Sequence, residues 1–256
     1  MTRPRPVIAI DGPAGVGKST TSRELARRLG FTLVDTGALY RGVALAARER
    51  GIRWDDEPAI AKMSPRLDLG FRSQEDGTPR LLLDGVDRGD DIRTPEISAG
   101  ASQVSAYPGV RRALLSLQRE LGREGGVVLE GRDIGTVVFP DAEVKLFLTA
   151  SAEERARRRV KDLESRGIAV DYDELLAQIR ARDEADSTRA IAPLRPAEDA
   201  VILDSTRLDM EAVVRHVLEL VESCAAPPID NPKLPSNPLT PLQCSWASDV
   251  TAARPG

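Results

Sequence analysis

Histidine, cysteine and asparagine are scarce in this sequence, and each scarcity excludes a kind of chemistry. There is one histidine, His216; the cysteines are Cys224 and Cys244, and the only asparagines are Asn231 and Asn237. Two cysteines cannot form a disulfide framework, and with a single histidine they cannot build a Cys/His zinc site. Any metal must therefore be held by oxygen. A lone histidine far from a nucleophile motif also gives no catalytic triad. No apolar run approaches the roughly 20 residues that a membrane span needs, and the opening MTRPRP leads into VIAID without a signal-peptide pattern. A cytosolic protein without a membrane partner is expected. The net charge of −4 supplies no clustered positive excess, so a nucleic-acid partner is not expected either.

What is present is a chain long enough for one core of about 200 residues with an inserted subdomain. Hydrophobic residues make up 41% and charged ones 30%, the balance of a soluble globular fold. Val7 to Ile10 is a short β-branched run that meets a glycine turn, and Thr20 to Leu29 has helical character. Phe31 to Val34 then reads as a strand and Ala38 to Arg50 as a helix. Strand and helix alternating in this way predict an α/β fold with a parallel sheet. Between Asp55 and Thr94, Leu67 to Phe71 and Leu81 to Leu83 look like short strands joined by Gly and Asp turns, an antiparallel insertion. Helical spacing returns over Pro95 to Leu121. Strands follow at Val127 to Glu130 and Val144 to Leu148, then a helix opening on the capping-box pair Ser151 and Glu154. Another helix runs from Tyr172 to about Asp186. Strand Val201 to Leu203 and an amphipathic helix from about Asp209 to Glu222 close the core. The stretch 223–256 is rich in proline and lacks periodicity, so a flexible tail is expected there.

The strongest motif is Gly12-Pro13-Ala14-Gly15-Val16-Gly17-Lys18-Ser19, followed by Thr20, which matches G-x-x-x-x-G-K-[ST] between a strand and a helix. Glycines let successive N–H groups converge on phosphates at a helix N-terminus, and Lys18 reaches the β and γ phosphates. The Ser19 hydroxyl is the expected Mg²⁺ ligand, with Glu130 as an additional candidate. A GTPase of the usual kind needs an N-K-x-D motif, and both asparagines lie in the tail. A motor or transporter would need partner domains for which the chain has little room. Kinases of small molecules or nucleotides remain.

Four further segments carry a resemblance: DTGALYR at 35–41, ASQVSAYPGVR at 101–111, EGRDIGTVVFPDA at 130–142 and ARDEADSTRAIAPL at 181–194. With GPAGVGKS they resemble the bacterial cytidylate kinase family from about Val7 to Val221, in consistent order. The resemblance implies a P-loop core over 1–222, an insertion of about 55–105 that binds the nucleoside monophosphate, and an arginine-rich lid of about 151–195. It implies ATP and Mg²⁺ as donor and cofactor, CMP and dCMP as acceptors, and a monomer. The acceptor phosphate falls to Arg41, Arg132 and Arg189, the cytosine to Ser102, Arg111 and Asp133, and the sugar and phosphates to Arg182 and Asp186. Thr36 stands where many relatives have Ser. Lys18, Arg132, Arg158 and Arg189 are the expected catalytic cations, with Arg158 of the lid on the ATP phosphates.

These roles agree with the chemistry of the groups. Cytosine offers an amine donor beside two acceptors, which a carboxylate and an arginine complement. Arginine grips phosphate oxygens in pairs where lysine cannot. The rivals are another acceptor, such as UMP, AMP or a small metabolite, and a P-loop binding protein with little turnover.

Overall fold

The computed structural model describes residues 3–74, 76–165 and 167–225. Five strands, β1 (Val7–Asp11), β2 (Thr32–Asp35), β6 (Val127–Gly131), β7 (Val144–Thr149) and β8 (Val201–Asp204), form one sheet in the order β2-β6-β1-β7-β8. Every neighbouring pair is parallel. The expected α/β architecture with a central parallel sheet is therefore present. Along β1 the side chains alternate between two apolar layers, as strands covered on both faces require. Ile8 and Ile10 meet Leu25 of α1 (Lys18–Leu29) and Val214 and Val217 of α8 (Met210–Ala225). Val7 and Ala9 meet Leu129, Ile134 and Phe139, with Leu115 of α5 (Pro108–Leu121) beside them.

A second apolar cluster lies under α2 (Thr36–Glu49). It joins α3 (Glu57–Met63), α4 (Pro95–Val104), α5 and an antiparallel sheet of β3 (Leu69–Ser73), β4 (Pro79–Leu83) and β5 (Val86–Asp87). The antiparallel strands agree with the expected pairing of 67–71 with 81–83. Helix α3 was not expected there, although Asp56 caps it by accepting from the Ala59 N–H at 3.1 Å.

The helical spacing over Pro95 to Leu121 resolves into two helices. Pro108 supplies no N–H, and Tyr107 before it is extended at φ −80°, ψ 123°, so α4 ends and α5 starts afresh. Ser151 caps α6 (Ala152–Ser165), its Oγ accepting from the Glu154 N–H at 3.2 Å, but the reciprocal half of the expected capping box is missing. The Ser151 N–H donates to Thr206 Oγ1 at 3.0 Å, and the Glu154 carboxylate pairs with Arg157 and Arg158. Helix α7 (Tyr172–Thr188) opens on the Asp171 cap. Helix α8 runs to Ala225, three residues into the stretch expected as a tail; the remainder of that stretch lies outside the described residues. Among the described residues no helix is long and apolar enough to cross a membrane.

Leu129 sits fully buried in the middle of the sheet. Leu129→Ala is expected to cost about 3 kcal/mol through lost contacts and a residual cavity, lowering Tm by roughly 6–12 °C in a thermal melt.

Candidate active site

The phosphate loop leaves the carboxyl end of β1, Thr36 and Arg41 follow that of β2, and Arg132 and Asp133 follow that of β6, where parallel α/β sheets bind ligands. Ser102, Arg111, Arg158, Arg182 and Asp186 lie on helices α4 to α7, and Arg189 caps the end of α7. From β1 the chain enters the phosphate loop. Gly12 has φ +148°, and a Cβ there would come within 2.0 Å of the Leu148 carbonyl oxygen, so only glycine lets the loop lie against β7. Gly17 ends the loop at φ +101° and starts α1 with no side-chain cap, leaving the first amides of the helix to face a ligand. Pro13, Ala14, Gly15 and Val16 form the turn between them, and Ser19 and Thr20 are exposed at its rim. Lys18 is buried and folds over the loop, its Nζ donating to the carbonyls of Gly12 at 2.8 Å and Pro13 at 2.6 Å. Burial holds the Lys18 ammonium well below the usual lysine pKa, reinforced by Arg132 and Arg182 and opposed by Glu130 and Asp11.

Next to the loop, the Ser19 hydroxyl donates to Glu130 Oε2 at 2.8 Å. The Glu130 carboxyl is pushed up to about 7, first by burial and then by Asp35, while Lys18, Ser19 and Arg41 hold it down. A hydroxyl and a carboxylate in contact are an oxygen donor set suited to Mg²⁺, which takes one or two protein ligands and completes its shell with phosphates and water. Among the described residues no group of three acidic, histidine or cysteine side chains forms a full protein cage. The Ser19 hydroxyl therefore contacts the carboxyl of the second residue that the sequence offered as a metal candidate.

Opposite the phosphate loop lies a cluster of arginines. Arg41 of α2 pairs with Asp35 at 2.5 Å, and Asp35 also caps α2 through the Ala38 N–H. Arg132, after β6, donates from Nε to Asp186 of α7 at 3.0 Å. Arg182, one turn before Asp186, is pushed below its ordinary pKa by burial, then by Arg132 and, more weakly, Arg41. These three guanidinium groups therefore share one crevice. Arg189 is likewise lowered by burial and by Arg111, lies 3.8 Å from Asp186, and donates to the Ala192 carbonyl. Three buried donors, Arg41 Nε, Arg182 Nε and Arg189 Nη2, have no acceptor among the described residues. Arginine does not deprotonate in proteins, so crowded guanidinium groups with unused N–H bonds form a receptor for an anion of high charge.

Beside this crevice the buried Asp133 pairs with the buried Arg111. The Arg111 guanidinium also donates to the Ser105 carbonyl at 3.1 Å and lies over the Tyr40 ring, 5.7 Å from its centre. Ser102 is half-buried on α4, where its carbonyl accepts from Ser105 Oγ. Thr36 is buried, and its hydroxyl donates to the Glu130 carbonyl at 2.7 Å, tying β2 to β6. Asp133, Arg111, Ser105 and Tyr40 thus form a polar cluster beside an aromatic ring, and Arg189 interacts electrostatically with both this cluster and Asp186 of the arginine crevice.

Arg158 is engaged elsewhere: its Nε pairs with Glu154 at 3.0 Å and Nη2 donates to the Ser205 carbonyl at 2.7 Å. The lid-side guanidinium that touches the phosphate loop is Arg155, which sequence reading missed. It is buried, donates to the Ala14 carbonyl at 3.2 Å and pairs with Asp183 at 2.9 Å. Helix α7 therefore carries two carboxylates at i and i+3. Asp183 holds an arginine against the donor loop, and Asp186 holds one in the anion crevice. Asp11, Tyr40 and Asp183 were also missed. Asp183 could have been found from its spacing to Asp186, and Asp11 from a carboxylate ending an apolar strand.

The raised Glu130 pKa has a measurable sign. Its folded value, about 7, exceeds the ordinary 4.5, so the folded state binds more protons in that window and this group's contribution to stability falls as pH rises through it. Glu130→Gln removes that dependence. Without ligands, the variant's Tm relative to the parent protein is expected to increase from pH 5 to pH 8, by up to about 3 kcal/mol in stability; a constant difference across that range would contradict the assignment.

The model of the family described as cytidylate kinase matches residues 8–223. A cytidylate kinase from Syntrophotalea carbinolica is 53% identical over 215 residues, covering 84% of this chain and 91% of that protein. One from Pasteurella multocida is 50% identical over 216 residues, covering 84% and 95%. A third, from Pseudomonas paraeruginosa, is 52% identical over 218 residues, covering 85% and 95%. The phosphate loop, the facing arginines and this similarity over most of the chain lead to one conclusion: the protein is a phosphotransferase and belongs to the cytidylate kinase family.

Proposed function

We propose that the enzyme transfers the γ-phosphoryl group of ATP to CMP, and also to dCMP, giving the corresponding diphosphates. The observation that carries this reading is the set of unused buried arginine donors facing the phosphate loop across one crevice. Two anions must be brought together for such a transfer, and the site is built to neutralise both.

Lys18 and the backbone N–H groups of 14–19 hold the donor phosphates. Arg41, Arg132 and Arg182 hold the acceptor phosphate, while Asp133 and Arg111 face the base with Ser102 nearby. Arg189 spans the two, and Asp186 keeps Arg132 and Arg189 in place near the sugar. Arg158 is assigned to the donor side, which requires it to leave Glu154 and Ser205 when the lid, about 151–195, closes. The region of about 55–105 is assigned to acceptor binding. Mg²⁺ would be held by Ser19 with Glu130, where it supplies positive charge for the donor phosphates.

No protein base is needed. The second ionisation of a phosphate monoester lies near pH 6, so the attacking oxygen of CMP is already an anion at neutral pH. The protein aligns that oxygen with the γ-phosphorus, and the P–O bond to the leaving ADP oxygen breaks as the new one forms. Lys18 and the arginines offset the charge of the transferring group. Closure over both substrates excludes water, which would otherwise accept the phosphoryl group. We also take the enzyme to be cytoplasmic and monomeric.

A coupled assay of ADP release across CMP, dCMP, UMP, dUMP and AMP tests the reading. Release that depends on CMP or dCMP supports it, and ATP consumption at the same rate without a monophosphate refutes it. Uracil presents an acceptor where cytosine presents an amine, so a carboxylate oxygen of Asp133, itself acceptor-only, would meet an acceptor there instead of a donor. Asp133→Ala is expected to lower the preference for CMP over UMP by ~10²-fold or more; an unchanged ratio of kcat/KM values removes Asp133 from base reading.

A further inference from the structure

The strand that leads into the phosphate loop ends on a carboxylate that the transfer chemistry does not use. Asp11 is 5% exposed and is the last residue of β1. Its Oδ1 accepts from the Ile134 N–H and its Oδ2 from the Gly135 N–H, both at 2.8 Å. These are the first two amides of the π-helical turn Ile134–Val138, which follows directly on Arg132 and Asp133. Asp11 lies opposite Gly131 in the β1–β6 register, so its side chain crosses from the root of one loop to the body of the other.

Three features make this contact specific. A carboxylate offers two acceptor oxygens at fixed spacing, which matches two successive amides; an amide side chain of the same size offers one acceptor and would turn an N–H donor toward the other amide. The second oxygen sits against the backbone of Gly135, where an added Cβ would lie 3.5 Å from Asp11 Oδ2, in ordinary van der Waals contact. The turn itself is held by i to i+5 bonds, such as Phe139 N–H to the Ile134 carbonyl at 2.7 Å, and π turns are rare single-turn features that need local support. The location is also electrostatically costly. Burial pushes the Asp11 carboxyl up to about 6, with Asp133 adding to the shift, while the two amides and Lys18 oppose it. Nothing in the packing of β1 requires a carboxylate at this position, since the residues before it are apolar and fully buried.

We infer that Asp11 is a positioning residue for acceptor selection: by clamping the Ile134 and Gly135 amides it fixes the loop that aims Asp133 at the base and Arg132 at the acceptor phosphate. The inference rests on the reading of Asp133 as the base-reading carboxylate. It makes one continuous segment, 11–18, responsible for both halves of the site. Residues 12–18 shape the donor loop, and Asp11 sets the acceptor loop. A loss of this clamp frees the Asp133 backbone to shift while leaving the phosphate loop and the sheet in place.

The experiment compares Asp11→Asn, Asp11→Ala and Asp133→Ala with the parent enzyme, measuring KM for ATP, KM for CMP, the CMP to UMP ratio of kcat/KM, and Tm. Asp11→Asn withdraws one acceptor, and Asp11→Ala withdraws both. Both are expected to raise KM for CMP and to lower the CMP to UMP ratio by ~10–100-fold, with KM for ATP changed less than about twofold. A role confined to stability would lower Tm and leave the ratio unchanged. If Asp133→Ala loses the preference but neither clamp variant does, or if the clamp variants raise both KM values equally, the inference on Asp11 fails and the reading of Asp133 stands. If Asp133→Ala keeps the preference, the reading of Asp133 fails and takes this inference with it.

Discussion

The arrangement of the site depends on one electrostatic constraint: several arginines that cannot shed their charge are packed together, half-buried, in the crevice facing the phosphate loop. Burial is the main cause that depresses the pKa of Arg182 and of Arg189, and a neighbouring guanidinium adds to it, Arg132 beside Arg182 and Arg111 beside Arg189. Such a cluster persists in the folded state only because carboxylates are threaded through it. Asp35 takes Arg41, Asp133 takes Arg111, and Asp186 takes Arg132. The carboxylates compensate part of the charge and leave selected N–H groups unpaired. The N–H groups left over are complementary in charge and geometry to an anion with several oxygens.

Helix α7 is the element that turns this constraint into a two-sided site. Asp183 and Asp186 lie on one face of the helix, three residues apart, which places their side chains as neighbours. One reaches Arg155 against the phosphate loop and the other reaches Arg132 in the arginine crevice, so a single helix ties both sides of the site together. The β1 strand supplies a second link of the same kind, through Asp11 at its end and the phosphate loop after it.

Much of the fold was legible beforehand because parallel strands covered on both faces leave a simple trace: short β-branched runs such as VIAI and VVLE, each followed by a glycine turn. The break at Pro108 was hidden because helical spacing continues across it, and only the missing N–H and the extended Tyr107 separate the two helices. Helix α3 was hidden because seven residues hold barely two turns of periodicity. In the site, the glycine-flanked positions 12–19 and 131–135 stood out, since close approach of a backbone to a ligand limits which residues fit. The lid arginines did not. Arg155, Arg157, Arg158 and Arg159 are locally alike in the sequence, yet Arg155 is buried against the Ala14 carbonyl while Arg157 is exposed.

The sequence by itself therefore determined that a phosphate-binding loop joins a buried strand to a helix, that any metal is bound through oxygen, and that arginine rather than lysine or histidine carries the charge. These follow from local rules: the spacing of glycines, the period of apolar residues, and the chemistry of the side chains available. Only the tertiary structure decided which carboxylate holds which arginine, that Glu130 meets Ser19 and that Asp11 clamps the amides of Ile134 and Gly135. The last two contacts join residues more than 100 positions apart, and the pair of Arg132 with Asp186 spans 54. They depend on the order of strands in the sheet and on helices packed across it, and no local pattern in the chain encodes that geometry.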